Sequence, residues 1–149
     1  WKPVQYPNNV SSSVGPGLTP AGLEKTLGVI TTQYQKDPTD NQWDADPAIM
    51  AWREFMQKYY PDGNVKDSLN ITGYNVAATL AQVLKQCGDN LTHENVMKQA
   101  ANLKNIRIDT LLPGIMINTS STDFAPIESF QLARFNGRQW VRFGEIIGR

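Results

Sequence analysis

A chain of 149 residues with 40% apolar and 19% charged residues has the composition of one globular domain, not of a disordered segment. Its 14 basic residues balance its 14 acidic ones, so it lacks the basic excess that binds nucleic acid or an anionic membrane surface. One cysteine, Cys87, and one histidine, His93, exclude a disulfide within the chain and a cysteine and histidine zinc site.

The first part of the chain predicts two strands separated by a loop. Residues 2–7 indicate a strand that leads into a polar segment at 8–13. A domain rarely begins on an internal strand, and Trp1 is not an initiator Met, so we expect a piece of a larger protein. A Ser, Gly and Pro-rich loop at 11–20 and a short helical turn at 21–25 follow. The β-branched and aromatic residues at 28–34 then predict the second strand.

The middle of the chain predicts three helices. After a turn at 37–40, Asp46 and Pro47 are typical of an N-cap and a first helical residue, and this helix should run to about Tyr60. Its apolar residues recur at helical spacing and predict a core-facing stripe. That stripe consists of Ile49, Trp52, Phe55, Met56 and Tyr59.

The second helix is predicted to begin at Asp67 and Ser68 and to end near Gln86, before a capping Gly88. Its expected inner face consists of Tyr74, Ala77, Leu80, Ala81 and Leu84. Val76 and Val83 make the rest partly apolar, so we expect the helix to be sandwiched in the interior. A shorter helix should run from about His93 to Leu103, with Thr92 as N-cap and with Val96, Met97, Ala100 and Leu103 inward.

The last part of the chain returns to strands. A turn at 111–114 precedes a short strand at 115–117 and a polar loop at 118–123. Alternating residues at 130–135 and 139–143 flank Asn136 and Gly137, which predicts a hairpin with a type I′ turn. Strands, three helices and strands again indicate a mixed α/β fold without the regular alternation of a complete doubly wound domain.

The sequence offers little support for a catalytic, metal-binding or cofactor-binding motif. The sequence has no glycine-rich phosphate loop, no nucleophile elbow and no carboxylate pair at a catalytic spacing. It therefore predicts no catalytic residue, no metal site and no cofactor. Neutral polar residues do stand at element ends, where they can bind the polar atoms of a small ligand or act only as caps and turns. They are Asn8, Asn9 and Ser11 after the first strand, and Asn70 and Thr72, followed by Tyr74, at the second helix.

Several stretches resemble the C-terminal part of type I periplasmic substrate-binding proteins of the branched-chain amino-acid ABC transporter family. They are residues 20–24 leading into 28–31, then 73–77, 95–101, 112–115, 135–137 and 140–141. The resemblance covers essentially the whole chain and looks closest to members associated with aromatic acids. It implies an α/β fold of two lobes that are joined by three hinge crossings, with the ligand in the cleft between them.

On this resemblance, residues 1–36 belong to the C-terminal lobe and residues 37–129 to the last part of the N-terminal lobe. Residues 130–149 form the closing hairpin, which returns to the C-terminal lobe. The N-terminal segment of the same protein would be missing, together with the Ser/Thr loops that grip a ligand carboxylate in this family. Sheet edges left open in this way favour strand exchange or a dimer of fragments.

The resemblance also implies site residues. Members that bind amino acids place an acid after the strand at 2–7, where it pairs with the ligand ammonium; Asn9, beside Asn8, holds that place here. This departure favours a ligand without a charged amine. The segment before the long helix would offer an apolar wall from Leu69 and a hydrogen bond from Asn70 or Thr72. Tyr74 is either a cleft residue or the first core anchor of the helix.

The function that the resemblance implies is solute capture without chemistry. The protein would be a periplasmic, or extracellular and membrane-associated, solute-binding subunit of an ABC importer, with the membrane permease as its partner. It would close its lobes on a small organic, aromatic carboxylate or on an amino-acid-like solute. A ligand-sensing receptor ectodomain with the same fold is the alternative, and an enzyme on the same scaffold has no support from the residues.

Overall fold

A computed structural model describes residues 3–148. They form a three-stranded antiparallel sheet in the order β1-β2-β3, together with four helices. The strands are β1 (Ile30–Gln33), β2 (Ser129–Phe135) and β3 (Trp140–Gly148). The helices are α1 (Thr19–Ala21), α2 (Pro47–Tyr59), α3 (Ser68–Cys87) and α4 (His93–Ala100). The mixed α/β architecture that the sequence predicts is confirmed. No helix in the described range is long and apolar enough to cross a bilayer.

The sheet joins the two ends of the chain. Ile30 pairs with Arg134 and Gln33 with Gln131, so β1 lies against a strand about a hundred residues later. The buried face of this sheet carries Ala133, Phe135 and Trp140, which pack with Val14, Leu18 and Val29 in one apolar cluster. All helices after α1 are inserted between β1 and β2, and they bury their apolar side chains in two further clusters.

The hairpin between β2 and β3 is confirmed, but its turn differs from the predicted type I′. The N–H of Asn136 donates to the carbonyl of Gln139 at 3.1 Å, which centres the turn on Gly137 and Arg138. A type I′ turn needs positive φ at both central residues. Gly137 has φ 91°, whereas the only non-glycine residue with positive φ in the described range is Asn105. The Asn136 side chain instead accepts the N–H groups of Arg138 and Gln139.

Helix α2 begins as the sequence predicts. Asp46 is its N-cap and accepts the N–H groups of Ala48 and Ile49, with Pro47 as the first helical residue. The predicted apolar stripe is only partly buried. Ile49, Trp52 and Met56 are in the core, whereas Phe55 and Tyr59 are 41% and 64% exposed.

Helix α3 has its predicted caps, Asp67 and Gly88, but its predicted inner face is wrong. The buried side chains are Ile71, Asn75, Val83 and Cys87. The face expected to be buried points to solvent: Leu80 is 51% and Leu84 40% exposed, Ala77 and Ala81 are exposed, and Tyr74 is half-buried. The side chains that find partners are Ile71, in the cluster of α2 residues, and Val83 and Cys87, in the cluster that includes residues of α4. We call Leu69, Val76, Leu80 and Leu84 the open face of α3.

Helix α4 begins at the predicted N-cap, since Thr92 Oγ1 accepts the N–H of Asn95 at 3.4 Å. It ends at Ala100, three residues before the predicted end, and Met97 is 52% exposed instead of inward. Val96 and Ala100 pack, as predicted, on a cluster that contains Leu103 and the buried thiol of Cys87.

Three shorter predictions are wrong. Residues 3–8 form no strand, although the N–H of Ile30 donates to the carbonyl of Gln5 at 3.0 Å; residue 2 lies outside the described residues. Residues 115–117 form only an isolated bridge between Ile106 and Ile117. The helical turn expected at 21–25 lies earlier in the chain, as the short α1. A further turn at Asn9–Ser11 precedes the predicted loop at 11–20, and another at Val14–Leu18 lies within it. Runs this short depend on a pairing partner, which local propensity does not reveal.

Candidate functional site

A cleft opens where three segments meet: the turn at 9–11 with the two serines after it, the end of β1, and the first turn of α3. It encloses about 560 Å³ of empty space, including its solvent-open mouth. The residues around it are Asn9, Val10, Ser12, Ser13, Gln33, Tyr34, Gln35, Asp37, Ser68, Leu69 and Thr72. A few directed polar groups beside an apolar wall are typical of a small-molecule site.

Three of the seven residues predicted for the site line this cleft. Asn9, Leu69 and Thr72 come together there although about 60 residues separate the first from the other two. Leu69 is 62% exposed and offers its side chain as an apolar wall. The cleft therefore combines the loop and the helix start that the sequence singles out separately.

The other four predicted residues do not line the cleft. Asn8 Oδ1 caps the following turn by accepting the N–H of Val10 at 2.9 Å, and Ser11 is exposed outside the cleft lining. Asn70 Nδ2 donates to a loop carbonyl at 2.8 Å. The ring of Tyr74 packs edge-on against the ring of Phe55 of α2, with their centroids 5.1 Å apart. Tyr74 is therefore a packing residue between α2 and α3.

The cleft has no free charged group among the described residues. Asp37 is the only acidic side chain in its lining, which includes no Lys, Arg or His. Both Asp37 oxygens are occupied: Oδ2 accepts the N–H of Val14 at 2.6 Å, and Oδ1 accepts the hydroxyls of Ser13 and Thr39 at 3.0 and 2.7 Å. The carboxylate therefore holds the chain around the cleft together, and its bonds to Ser13, Val14 and Thr39 direct both oxygens toward the protein.

The start of α3 is also occupied by its own cap. Asp67 Oδ1 accepts the N–H of Leu69 at 2.9 Å, and the N–H of Asn70 donates to the Asp67 carbonyl at 3.1 Å. The negative charge of the cap offsets the positive end of the helix dipole. This helix terminus is therefore no ready-made anion site, and a ligand at the cleft would meet side-chain amides and hydroxyls.

Tyr34 contributes an aromatic surface and a neutral hydroxyl. Burial raises the pKa of its phenol, and a hydrogen bond with Thr72 offsets part of that rise. Its ring packs edge-on against Phe130 of β2, with centroids 6.0 Å apart. The phenol is therefore uncharged at neutral pH and can donate or accept a hydrogen bond.

The side chain of Gln35 is supported by two polar side chains of α3. Its Nε2 donates to Thr72 Oγ1 at 3.0 Å, and its Oε1 accepts from Asn75 Nδ2 at 3.2 Å. Sequence reasoning missed Gln33, Tyr34 and Gln35. A signal was available, because Gln33 and Tyr34 end a predicted strand and Gln35 follows it, just as Asn9 comes after the segment at 2–7.

Charged residues lie behind the cleft in the segment that follows β1. Lys36 Nζ donates to both oxygens of Asp46 at 2.8 and 2.7 Å, and it lies 5.4 Å from the centroid of the Trp43 ring. Arg142 of β3 lies 5.3 Å from the centroid of that same ring. No group of three or more metal-binding side chains is found among residues 3–148. These charges join the segment to α2 and the hairpin.

Comparisons with known proteins agree with this picture. A sequence profile of the periplasmic binding protein family matches residues 3–139. No curated protein sequence matches the chain at a significant level. A solved structure, of a branched-chain amino acid ABC transporter protein from Thermus thermophilus with bound valine, matches with a TM-score of 0.75 at 17% identity. The match covers 100% of this chain and 40% of that one, so the chain spans less than half of the related structure.

Proposed function

Because the chain belongs to the periplasmic binding protein family, we propose that its cleft is part of the solute site of an extracytoplasmic binding subunit of an ABC importer. The role is capture without chemistry, by closure of two lobes around a solute. The proposed location is the periplasm, and the proposed partner is the transporter's membrane permease. The observation that carries the proposal is the cleft itself, where Asn9, Gln35 and Thr72 meet beside Leu69.

The proposed ligand is a small organic acid without a charged amine, and an aromatic one. The related structure holds valine, whose ammonium needs an anionic partner. Here Asn9 is neutral and the Asp37 carboxylate is occupied by Ser13, Val14 and Thr39. An ammonium would be desolvated beside a carboxylate whose two oxygens already accept protein donors, and incomplete pairing of a buried charge is costly. A carboxylate or carbonyl oxygen can instead accept from the amides, and an aromatic ring can pack on Leu69.

Matched pairs of solutes test this ligand class on the full-length gene product. Valine is compared with 3-methylbutanoate, and phenylalanine with 3-phenylpropanoate, because each pair differs only in the α-ammonium. Calorimetry and thermal shift should show tighter binding of the amine-free acid in each pair, and the aromatic acid should bind best. Tighter binding of valine or phenylalanine would show an amino-acid site and contradict the proposal.

A sensing ectodomain with the same fold would show the same solute preference. The two roles differ in what solute binding triggers, which is import through a permease in one case and a receptor signal in the other. Reconstitution with the permease encoded beside the gene distinguishes them: an import subunit stimulates ATP hydrolysis by the transporter when it is loaded with solute. A loaded protein that leaves the transporter inactive favours the receptor alternative.

We further propose that the chain contributes to both lobes, with residues 3–36 and 130–148 in one and residues 37–129 in the other. The open face of α3 supports this division. Leu69 and Val76 are 62% and 65% exposed, and Leu80 is 51% exposed. An apolar stripe of this kind is typical of a helix that packs on another layer. We propose that a part of the full-length protein corresponding to the remaining 60% of the related structure forms this layer.

Thiol labelling tests which molecule covers the open face. A Leu80→Cys variant is made in the 149-residue chain and in the full-length gene product, with exposed Glu54→Cys as control; native Cys87 is buried and should react slowly. Protection of position 80 only in the full-length protein supports cover by the rest of the same fold. Labelling in both overturns it. Protection in the isolated chain, together with a dimeric mass by light scattering, assigns the face to a second copy instead.

A further inference from the structure

We propose that Asn75 and Thr110 fix the hydrogen-bonding polarity of Gln35, so that Gln35 presents an amide N–H donor to an acceptor oxygen of the solute. Gln35 would then be a specificity-determining residue and Asn75 a positioning residue that acts through it. The inference rests on the proposed function of the cleft and adds to it a chemical rule for the ligand.

Asn75 is a polar residue at a buried position of α3. It is 6% exposed and lies on the same face as buried Ile71 and Val83. A buried amide without partners would cost free energy, so its hydrogen bonds matter. Asn75 Oδ1 accepts the hydroxyl of Thr110, which is itself 2% exposed, and its Nδ2 donates to Gln35 Oε1 at 3.2 Å.

These bonds form a directed chain toward the cleft. The Thr110 hydroxyl donates to Asn75, Asn75 donates to Gln35, and Gln35 Nε2 donates to Thr72 Oγ1 at 3.0 Å. The Thr72 hydroxyl is then free to donate to the carbonyl of Ser68 at 3.2 Å. Turning both amides over would leave three of these four bonds. The Thr72 hydroxyl would then donate to Gln35 Oε1 in the place that Nε2 now holds, and the Ser68 carbonyl would lose this donor.

The direction of this chain of hydrogen bonds decides whether Gln35 presents a donor or an acceptor to the cleft. Gln35 Oε1 is occupied by Asn75, whereas Nε2 carries two protons and gives one to Thr72. The second Nε2 proton has no acceptor in the hydrogen bonds of the described residues. Gln35 lines the cleft, so this N–H is a donor for a carboxylate or carbonyl oxygen. A ligand that presents a donor at this point would meet another donor.

Two substitutions test the rule by reversing the polarity without changing the size of the side chain. Asn75→Asp, at about pH 8 where an aspartate is ionised, gives Thr110 and Gln35 two acceptors and should turn the Gln35 amide over. Gln35→Glu replaces the donor directly and keeps an acceptor for Asn75. The probes are 3-phenylpropanoate, which presents only acceptors, and 3-phenylpropanamide, which also presents donors.

Calorimetry on the full-length gene product should show that both variants shift the ratio of acid to amide affinity by roughly tenfold toward the amide. Gln33→Glu serves as the control, because it adds the same charge to the cleft lining and leaves the bond between Asn75 and Gln35 in place. A shift no larger than that of Gln33→Glu would reduce the effect to charge alone and overturn the inference, as would an unchanged ratio in Gln35→Glu.

A measurement without ligand keeps the inference separate from the proposed function. In the unliganded protein, NMR contacts from the two Gln35 Nε2 protons to the Thr72 side chain support the stated polarity. Contacts from these protons to the Asn75 side chain instead show the reversed chain and overturn it. If the polarity is confirmed but the wild-type protein binds neither probe, the proposed ligand class fails and the assignment of polarity stands.

Discussion

The buried carboxylate of Asp40 accepts the backbone N–H of Trp140 at 3.0 Å, and so joins the segment after β1 to the first residue of β3, 100 positions later. Gln42 reinforces this contact, since its Nε2 donates to Asp40 at 2.7 Å and to the Trp140 carbonyl at 2.9 Å. The Trp140 indole also donates to the Ser12 carbonyl at 2.9 Å. Asp40 therefore lies where three distant parts of the chain meet.

Asp40→Asn should destabilise the protein and change how its stability depends on pH. The amide places a donor among three donor groups, and an unsatisfied buried group costs about 1–3 kcal/mol. Burial raises the pKa of Asp40 above its ordinary value of 3.8, although bonds from Trp140 and Gln42 offset part of the rise. The folded state thus holds the proton more tightly. The contribution of Asp40 to stability is largest below pH 3.8 and falls as the pH rises through the folded pKa.

Urea unfolding of both proteins between about pH 3 and 7 checks this expectation. The difference in the free energy of unfolding between the wild type and Asp40→Asn isolates the titration of the Asp40 carboxyl group. The wild type should lose stability relative to the variant as the pH rises. A difference that is constant with pH, or that grows in favour of the wild type, would contradict the raised pKa.

Asp46 should show the opposite pH dependence. Its burial raises the pKa, but the hydrogen bonds from Lys36 and from the first turn of α2 outweigh this effect and leave the pKa lowered from 3.8. Its stabilising contribution is therefore present above pH 3.8 and is lost as the pH falls through the folded pKa.

Two substitutions of Asp46 separate its roles. Asp46→Ala should cost about 0.5–2 kcal/mol for the lost N-cap, and more because it leaves Lys36 without its anionic partner. Asp46→Ser keeps a capping oxygen and removes only the charge, so it should cost less. Thermal unfolding at neutral pH compares the three proteins, and equal losses in the two variants would show that the cap contributes nothing measurable.

Asn9→Asp should change the ligand preference of the full-length gene product. It puts a carboxylate among the residues that line the cleft. The affinity for phenylalanine relative to 3-phenylpropanoate should rise by roughly tenfold or more, since a close opposite charge favours the ammonium. Asn8→Asp, outside the cleft lining, is the matched control and should leave the ratio unchanged. An unaltered ratio in both variants would remove Asn9 from the site.

Alanine substitutions at two neighbouring positions of α3 should differ sharply in how much they destabilise the isolated chain. Ile71 is fully buried, and Ile71→Ala should cost about 2–5 kcal/mol through lost burial and the cavity left behind. Leu69 is 62% exposed on the open face, and Leu69→Ala should cost less than about 0.5 kcal/mol there. Urea melts of both variants test which face of α3 is buried. Similar losses would show that the open face is covered in the isolated chain.

The sequence by itself determined the local structure that short-range chemistry controls. The Asp46, Asp67 and Thr92 caps, the strand β1 and the closing hairpin are all confirmed, because a cap or an alternating strand is encoded within a few residues. The sequence also singled out Asn9, Leu69 and Thr72, which meet in the cleft.

Only the tertiary structure decided which side of α3 is buried and which polar groups support the cleft. Apolar residues lie all around α3, so hydrophobic periodicity cannot choose between Ile71 and Leu80 until α2 and α4 take their places. The contacts of Asn75 with Gln35 and Thr110 join residues 40 and 35 positions apart. Such contacts depend on chain packing, and no local pattern of residue types records them.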